Sequence, residues 1–126
     1  MIIAIDFDGT CVKNKYPYVG EDIGAVPILK DLVKRGHRLI LCTMRSHKPN
    51  KGIDCLQDAV DWFNNNGIEL YAINENPEQK SWTDSNKIYA DLYIDDAALG
   101  CPLTSDGFGN VYVDWSKVSN LLYATR

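Results

Sequence analysis

Histidine, glutamate and clustered positive charge are all scarce in this sequence. Its 126 residues include two His and four Glu, and 13 Lys+Arg stand against 17 Asp+Glu for a net charge of −4. The missing basic run argues against a dedicated nucleic-acid surface or an electrostatic contact with a membrane. No apolar stretch approaches the roughly 18 residues that a membrane span needs. The opening run Met1-Ile2-Ile3-Ala4-Ile5 reaches Asp6 at once and lacks the basic n-region of a signal peptide, so a cytoplasmic protein is expected. Cys11, Cys42, Cys55 and Cys101 form no C-x-x-C pair, and His37 and His47 stand at no zinc-ligand spacing, so reduced thiols are expected. No G-x-G-x-x-G follows the first apolar run and no G-x-x-x-x-G-K-[ST] occurs, which excludes the dinucleotide and P-loop fingerprints. Gly107-Phe108-Gly109 comes too late and lacks the third glycine.

What is present is ordinary globular composition in a length that suits one domain, residues 1–126, with no repeat, linker or low-complexity segment. Thirteen of the 17 acids are Asp, a poor helix filler but a good cap, turn residue and ligand for hard cations.

The first apolar run reads as a strand buried on both faces, as in a parallel sheet. Val26, Leu29, Leu32 and Val33 recur at helical spacing, with Pro27 in the first turn and Gly36 as the stop. A second strand is predicted over 38–43, and a second helix where Ile53, Leu56, Val60 and Phe63 repeat before Gly67. Residues 68–73 read as a third strand, 74–87 as loop or one short helix, and Leu92-Tyr93-Ile94 as a fourth strand. Val111-Tyr112-Val113 reads as a fifth strand, and Val118, Leu121 and Leu122 mark a last helix. This alternation predicts an α/β fold in three α/β/α layers, Rossmann-like, with a mostly parallel sheet of about five strands. In such sheets ligands bind beyond the carboxyl ends of the strands.

The residues at those ends are polar. Strand one runs into Asp6-Phe7-Asp8-Gly9-Thr10, where alternation turns Asp6 and Asp8 to one side and Phe7 to the core. Strand four runs into Asp95-Asp96. If the two strands are neighbours, three or four carboxylates converge, at a cost of several kcal/mol in repulsion and desolvation unless a cation is bound. Oxygen ligands of this kind suit Mg²⁺. Strand two ends in Thr43-Met44-Arg45-Ser46, whose hydroxyl and backbone N–H groups can hold phosphate oxygens, and Lys87 lies close enough before strand four to reach the same place. Nucleophile, proton carrier, cation and phosphate-binding groups together describe phosphoryl transfer.

At this point the sequence resembles the haloacid dehalogenase-like (HAD) hydrolase superfamily over essentially its whole length. Asp6-Phe7-Asp8-Gly9-Thr10 resembles the first motif, D-x-D-G-T. Thr43 resembles the second motif, Lys87 the basic residue of the third, and Tyr93-Ile94-Asp95-Asp96 the acidic fourth. The similarity is greatest to small members of uncharacterised substrate. The resemblance implies a Mg²⁺-dependent phosphatase with Asp6 as nucleophile and metal ligand. Asp8 would be the acid and base and would offer its carbonyl to the metal. Thr43 and the Met44 N–H, with Arg45 nearby, would be the substrate contacts, and Lys87 would neutralise charge. Asp96 is favoured as the direct metal ligand with Asp95 acting through water, the reverse remaining open, and Lys80 is the rival of Lys87. A second Asp two residues after the nucleophile marks the phosphatase branches.

The gaps at 9–22 and 74–87 have no room for a cap domain, though the first could hold a small hairpin flap. An open site with a phosphorylated substrate, even a large one, is expected, or a homo-oligomer in which a partner chain completes the lid. Tyr16, Tyr18, Arg45, His47 and Trp82 fall on loops that would ring it. The alternative is a degenerate member that binds a phosphorylated ligand without turnover. Removing Asp6, Asp8, Asp95 and Asp96 from the count leaves 13 acids against 13 bases, so the net charge equals that of the expected site.

Overall fold

The β-branched run at the N-terminus forms β1 (Ile2–Ile5), buried along its whole length. A computed structural model describes residues 1–125. After β1 come β2 (Val12–Lys15) and β3 (Tyr18–Asp22), α1 (Ala25–Lys34), β4 (Arg38–Leu41), α2 (Cys55–Asn65) and β5 (Ala72–Ile73). The rest of the chain is a 3₁₀ turn (Gln79–Ser81), β6 (Leu92–Ile94), β7 (Leu103–Ser105), β8 (Val111–Val113) and α3 (Trp115–Thr125).

The main sheet has four parallel strands in the order β5-β4-β1-β6. The order explains where everything else lies. Crossovers between parallel strands are right-handed, so β1-α1-β4 and β4-α2-β5, stepping the same way, place both helices on one face. Ile3, Ile5, Leu39, Leu41 and Ile94 from that face share one core cluster with Leu29 and Leu32 of α1, Ala59 and Phe63 of α2, and Trp115 and Val118 of α3. The step from β5 back to β6 runs the other way and must cross the opposite face. That face presents Ile2, Ala4 and Ile40, and it is covered by Ala90 and Ile88 rather than by a helix.

Two buried amides knit this crossing segment. The Gln79 side-chain amide donates to the carbonyls of Ser85 (3.1 Å) and Lys87 (3.0 Å) and accepts from the Tyr89 N–H (2.8 Å). Asn76 donates to the Tyr89 carbonyl (3.0 Å) and accepts from the Glu78 N–H (3.1 Å).

Three sequence expectations change. The main sheet has four strands, because β8 pairs antiparallel with β7 in a separate ribbon. The strand expected over 68–73 shrinks to β5, and the one over 38–43 ends at Leu41. The three expected layers become α-helices gathered on one face and a segment with a single 3₁₀ turn on the other. In place of a cap, the first gap holds the β2–β3 hairpin, which agrees with the small flap expected there. No helix among the described residues is long and apolar enough to cross a membrane.

Candidate active site

Winding reverses between β1 and β6, the kind of switch point at which open α/β sheets bind ligands. Asp6 extends β1 there, its N–H bonded to the Ile94 carbonyl (3.0 Å), and Asp95 and Asp96 extend β6. Carboxylate oxygens of Asp6, Asp95 and Asp96 all lie within 4.8 Å of one another.

Thr10 ties them together. Its hydroxyl lies 2.9 Å from Asp6 Oδ2 and 3.4 Å from Asp96 Oδ1, and it accepts from the Asp96 N–H at 3.0 Å. Thr10 is fully buried, and its own carbonyl accepts from the Trp115 indole (2.7 Å). The turn that brings it round needs Gly9, which has φ +81° and no side chain; a Cβ there would fall on the Asp96 carboxylate.

Crowding shows in the protonation. Burial above all, and then the charge of Asp95, pushes Asp6 from 3.8 up to about 7, against the lowering effect of the Thr10 hydroxyl and the Phe7 backbone. Burial also raises Asp96, while its interaction with Asp6 works the other way. Three convergent carboxylates have the chemistry to hold a hard divalent cation.

Stability should therefore depend on pH and metal together. Asp6 is higher in the folded chain than its ordinary 3.8, so its stabilising protonation is complete below about 4 and is lost as pH rises through about 7. Millimolar Mg²⁺ is expected to raise the melting temperature by several degrees at pH 8 and by less at pH 5, where the proton competes. Thermal melts of wild type and Asp96→Ala with and without Mg²⁺ check this; identical curves throughout would remove the metal site.

An open cleft of about 610 Å³ is lined by Asp6, Asp8, Asn14, Tyr16, Thr43, Met44, Asp95, Asp96 and Ala97. An apolar hollow of about 300 Å³ between β6 and α3 carries no carboxylate or cation and is not a candidate for chemistry. Thr43 is held at the cleft by Asn74, whose side chain accepts from the Thr43 N–H (2.8 Å), and its hydroxyl accepts from the Arg45 N–H (3.1 Å). Met44 is almost wholly exposed.

Arg45 corrects its expected role. It is 2% exposed and all five of its N–H donors are engaged, so it has none left for a substrate. Two of the five grip Asp8 at 2.8 Å each, Nε on Oδ2 and Nη2 on Oδ1.

Neither lysine lines the cleft. Lys87 is exposed with its ammonium 5.5 Å over the Tyr93 ring, and Lys80 borders a polar hollow with Asn76 and Gln79. Of the loop residues expected to ring the site, Tyr16 does; His47 pairs with Asp54, the N-cap of α2, and Trp82 packs on Tyr89. Thr10, Asn14 and Asn74 were not expected among the site residues. Thr10 was visible as the last residue of the first motif, whereas nothing in the local sequence marks Asn14 or Asn74.

No protein-family model and no curated protein matches the chain. Among solved structures, a conserved protein from Bacteroides thetaiotaomicron is 36% identical, with a TM-score of 0.78 over 100% of this chain and 92% of that one. With that identity over nearly the full length of both, the chain belongs to the same family as this conserved protein.

Proposed function

We propose that the chain is a Mg²⁺-dependent phosphohydrolase of HAD type, with its Rossmann-like sheet as scaffold, acting on a phosphate monoester in the cytoplasm. The observation that carries the reading is the meeting of Asp6, Asp95 and Asp96 within 4.8 Å at the reversal of winding, in the same cleft as Asp8 and Thr43.

A divalent cation held by Asp6, Asp95 and Asp96 would offset their charge and that of the phosphoryl group. The rest of the chemistry belongs to the chain. Asp6 attacks phosphorus in line; its new O–P bond forms as the bond to the leaving oxygen breaks, and Asp8 gives that oxygen a proton. Asp8 then takes a proton from water, whose oxygen bonds to phosphorus as the bond to Asp6 breaks and inorganic phosphate leaves. Thr43 accepts the Arg45 N–H on its oxygen, so its hydroxyl proton is available to a phosphoryl oxygen.

Lys87 can still contribute. Tyr93, over which it lies, precedes Asp95 by two residues, so on an extended chain the two side chains leave the same face about 7 Å apart. To reach Asp95 the ammonium would have to leave the Tyr93 ring by a change of rotamer. Among the described residues no cation lines the cleft, and this favours the alternative, a module that binds a phosphorylated ligand without turnover.

A phosphate-release screen over a few dozen monoesters, large and small, separates the two. Release that needs Mg²⁺ and stops with chelator is expected. Ligand-induced stabilisation with no release on any ester would overturn the phosphatase and leave the binding module.

A further inference from the structure

Asp8 is the proton carrier of the proposed reaction, yet it sits on a turn and its side chain is 17% exposed. A proton carrier must be held within a fraction of an ångström of the atom it serves. Neither Thr10 nor the acidic cluster is bonded to its side chain. The guanidinium of Arg45 is.

Arg45 is itself immobilised from every side. Beyond the two bonds to Asp8, its Nη1 donates to the carbonyls of Pro17 (3.1 Å) and Cys55 (2.9 Å), and Nη2 to that of Tyr18 (2.7 Å). Its plane lies 5.0 Å from the centre of the Phe7 ring and 5.4 Å from that of Tyr16. One side chain thus joins the nucleophile loop, the tip of the β2–β3 hairpin and the start of α2.

We propose that Arg45 is a positioning residue: it fixes the Asp8 carboxylate at the cleft and bolts the hairpin over it as a fixed wall. This rests on the phosphatase reading for its catalytic half. A lysine could keep the charge but has no planar fork to hold both oxygens of Asp8 while reaching three carbonyls.

The test uses Arg45→Lys, which retains a cation at the site, in the full chain. The leaving group separates positioning from mere loss of stability. An alkyl phosphate needs a proton on its departing oxygen, whereas 2,4-dinitrophenyl phosphate does not. Because kcat/KM reports the first bond-breaking step, it should fall about 100-fold on the alkyl ester and less than about 5-fold on the activated one. Amide hydrogen exchange over residues 12–22 should quicken at least about 10-fold in the same variant while the exchange of α1 stays unchanged.

Equal falls on both esters, or no fall on either, would overturn the positioning role. Unchanged exchange in the hairpin would overturn the bolt. A wild type that releases no phosphate from either ester, with Mg²⁺ present, would overturn the phosphatase reading and with it the catalytic half. Hydrogen exchange, which needs no turnover, still decides whether Arg45 holds the hairpin.

Discussion

Replacing Asp6 with asparagine is expected to stop phosphate release and, in the metal-free protein at pH 8, to make the fold more stable. The first effect follows from losing the nucleophile: an amide oxygen forms no phospho-enzyme, so turnover should drop by at least about 10³-fold. The second follows from the crowding that the site imposes. Raising a carboxyl from 3.8 to about 7 corresponds to about 4 kcal/mol in an isolated buried group. Asp6 is partly exposed and water screens it, so about 2 kcal/mol is expected. Asparagine carries no charge, can still accept the Thr10 hydroxyl, and can donate its amide protons toward Asp95 and Asp96. Denaturant melts of the two proteins with chelator, at pH 8 and at pH 4.5, read the effect. The gain should shrink at the lower pH, where wild-type Asp6 is protonated. A variant no more stable than wild type at pH 8 would mean that the cluster carries no strain, and residual Mg²⁺-dependent release would remove Asp6 from the chemistry.

Arg45→Met is expected to be the most destabilising single substitution of a charged residue in the chain, by about 3–5 kcal/mol. Methionine fills much of the volume, so the cost is not a cavity. It comes from what is left behind: the Asp8 carboxylate and the carbonyls of Pro17, Tyr18 and Cys55, all deprived of a donor together. For a domain of this size a loss on that scale approaches half of a typical total stability. Arg38→Met supplies the control. Arg38 also pairs with a carboxylate, Glu78 at 3.1 Å, and also lies on a ring, that of Tyr71, but its side chain is 45% exposed. Its loss should change stability little, because water replaces the missing partner. Urea unfolding with equal m-values checks both. Similar midpoints for the two variants would refute the view that burial, and not pairing as such, makes Arg45 indispensable.

The contrast between these arginines also shows what could be read from sequence. Asp6, Asp8, Asp95 and Asp96 were legible because each pair lies at the end of a short apolar run, Met1–Ile5 and Leu92–Ile94. A strand end is a local pattern, and adjacent parallel strands bring such ends to one edge. Arg45 stands in a loop among Met44, Ser46, His47 and Lys48, and nothing in that neighbourhood distinguishes it from a solvated side chain. Its partners come from residues 8, 17, 18 and 55, a meeting that only the tertiary fold creates. Val111–Val113 is the strand expected, but its place in the main sheet failed for a related reason. Three alternating β-formers fit a main-sheet strand and an antiparallel ribbon equally well, and the turn around Gly107 and Gly109 decided for the ribbon. The helices were placed well from periodicity, but their gathering on one face depends on strand order, which periodicity does not carry.

The segment that crosses the bare face of the sheet has a consequence of its own. Its backbone is organised by the amides of Gln79 and Asn76, with one 3₁₀ turn and no ladder of helical hydrogen bonds. Segments built this way open at a lower free energy than the helices and strands around them. Opening here would uncover Ile2, Ala4 and Ile40 and carry off Lys87, whose carbonyl Gln79 holds, while Asp6, Thr10 and the three helices stayed folded. Such an opening would carry Lys87 away from the sheet before the acidic cluster lost its fold.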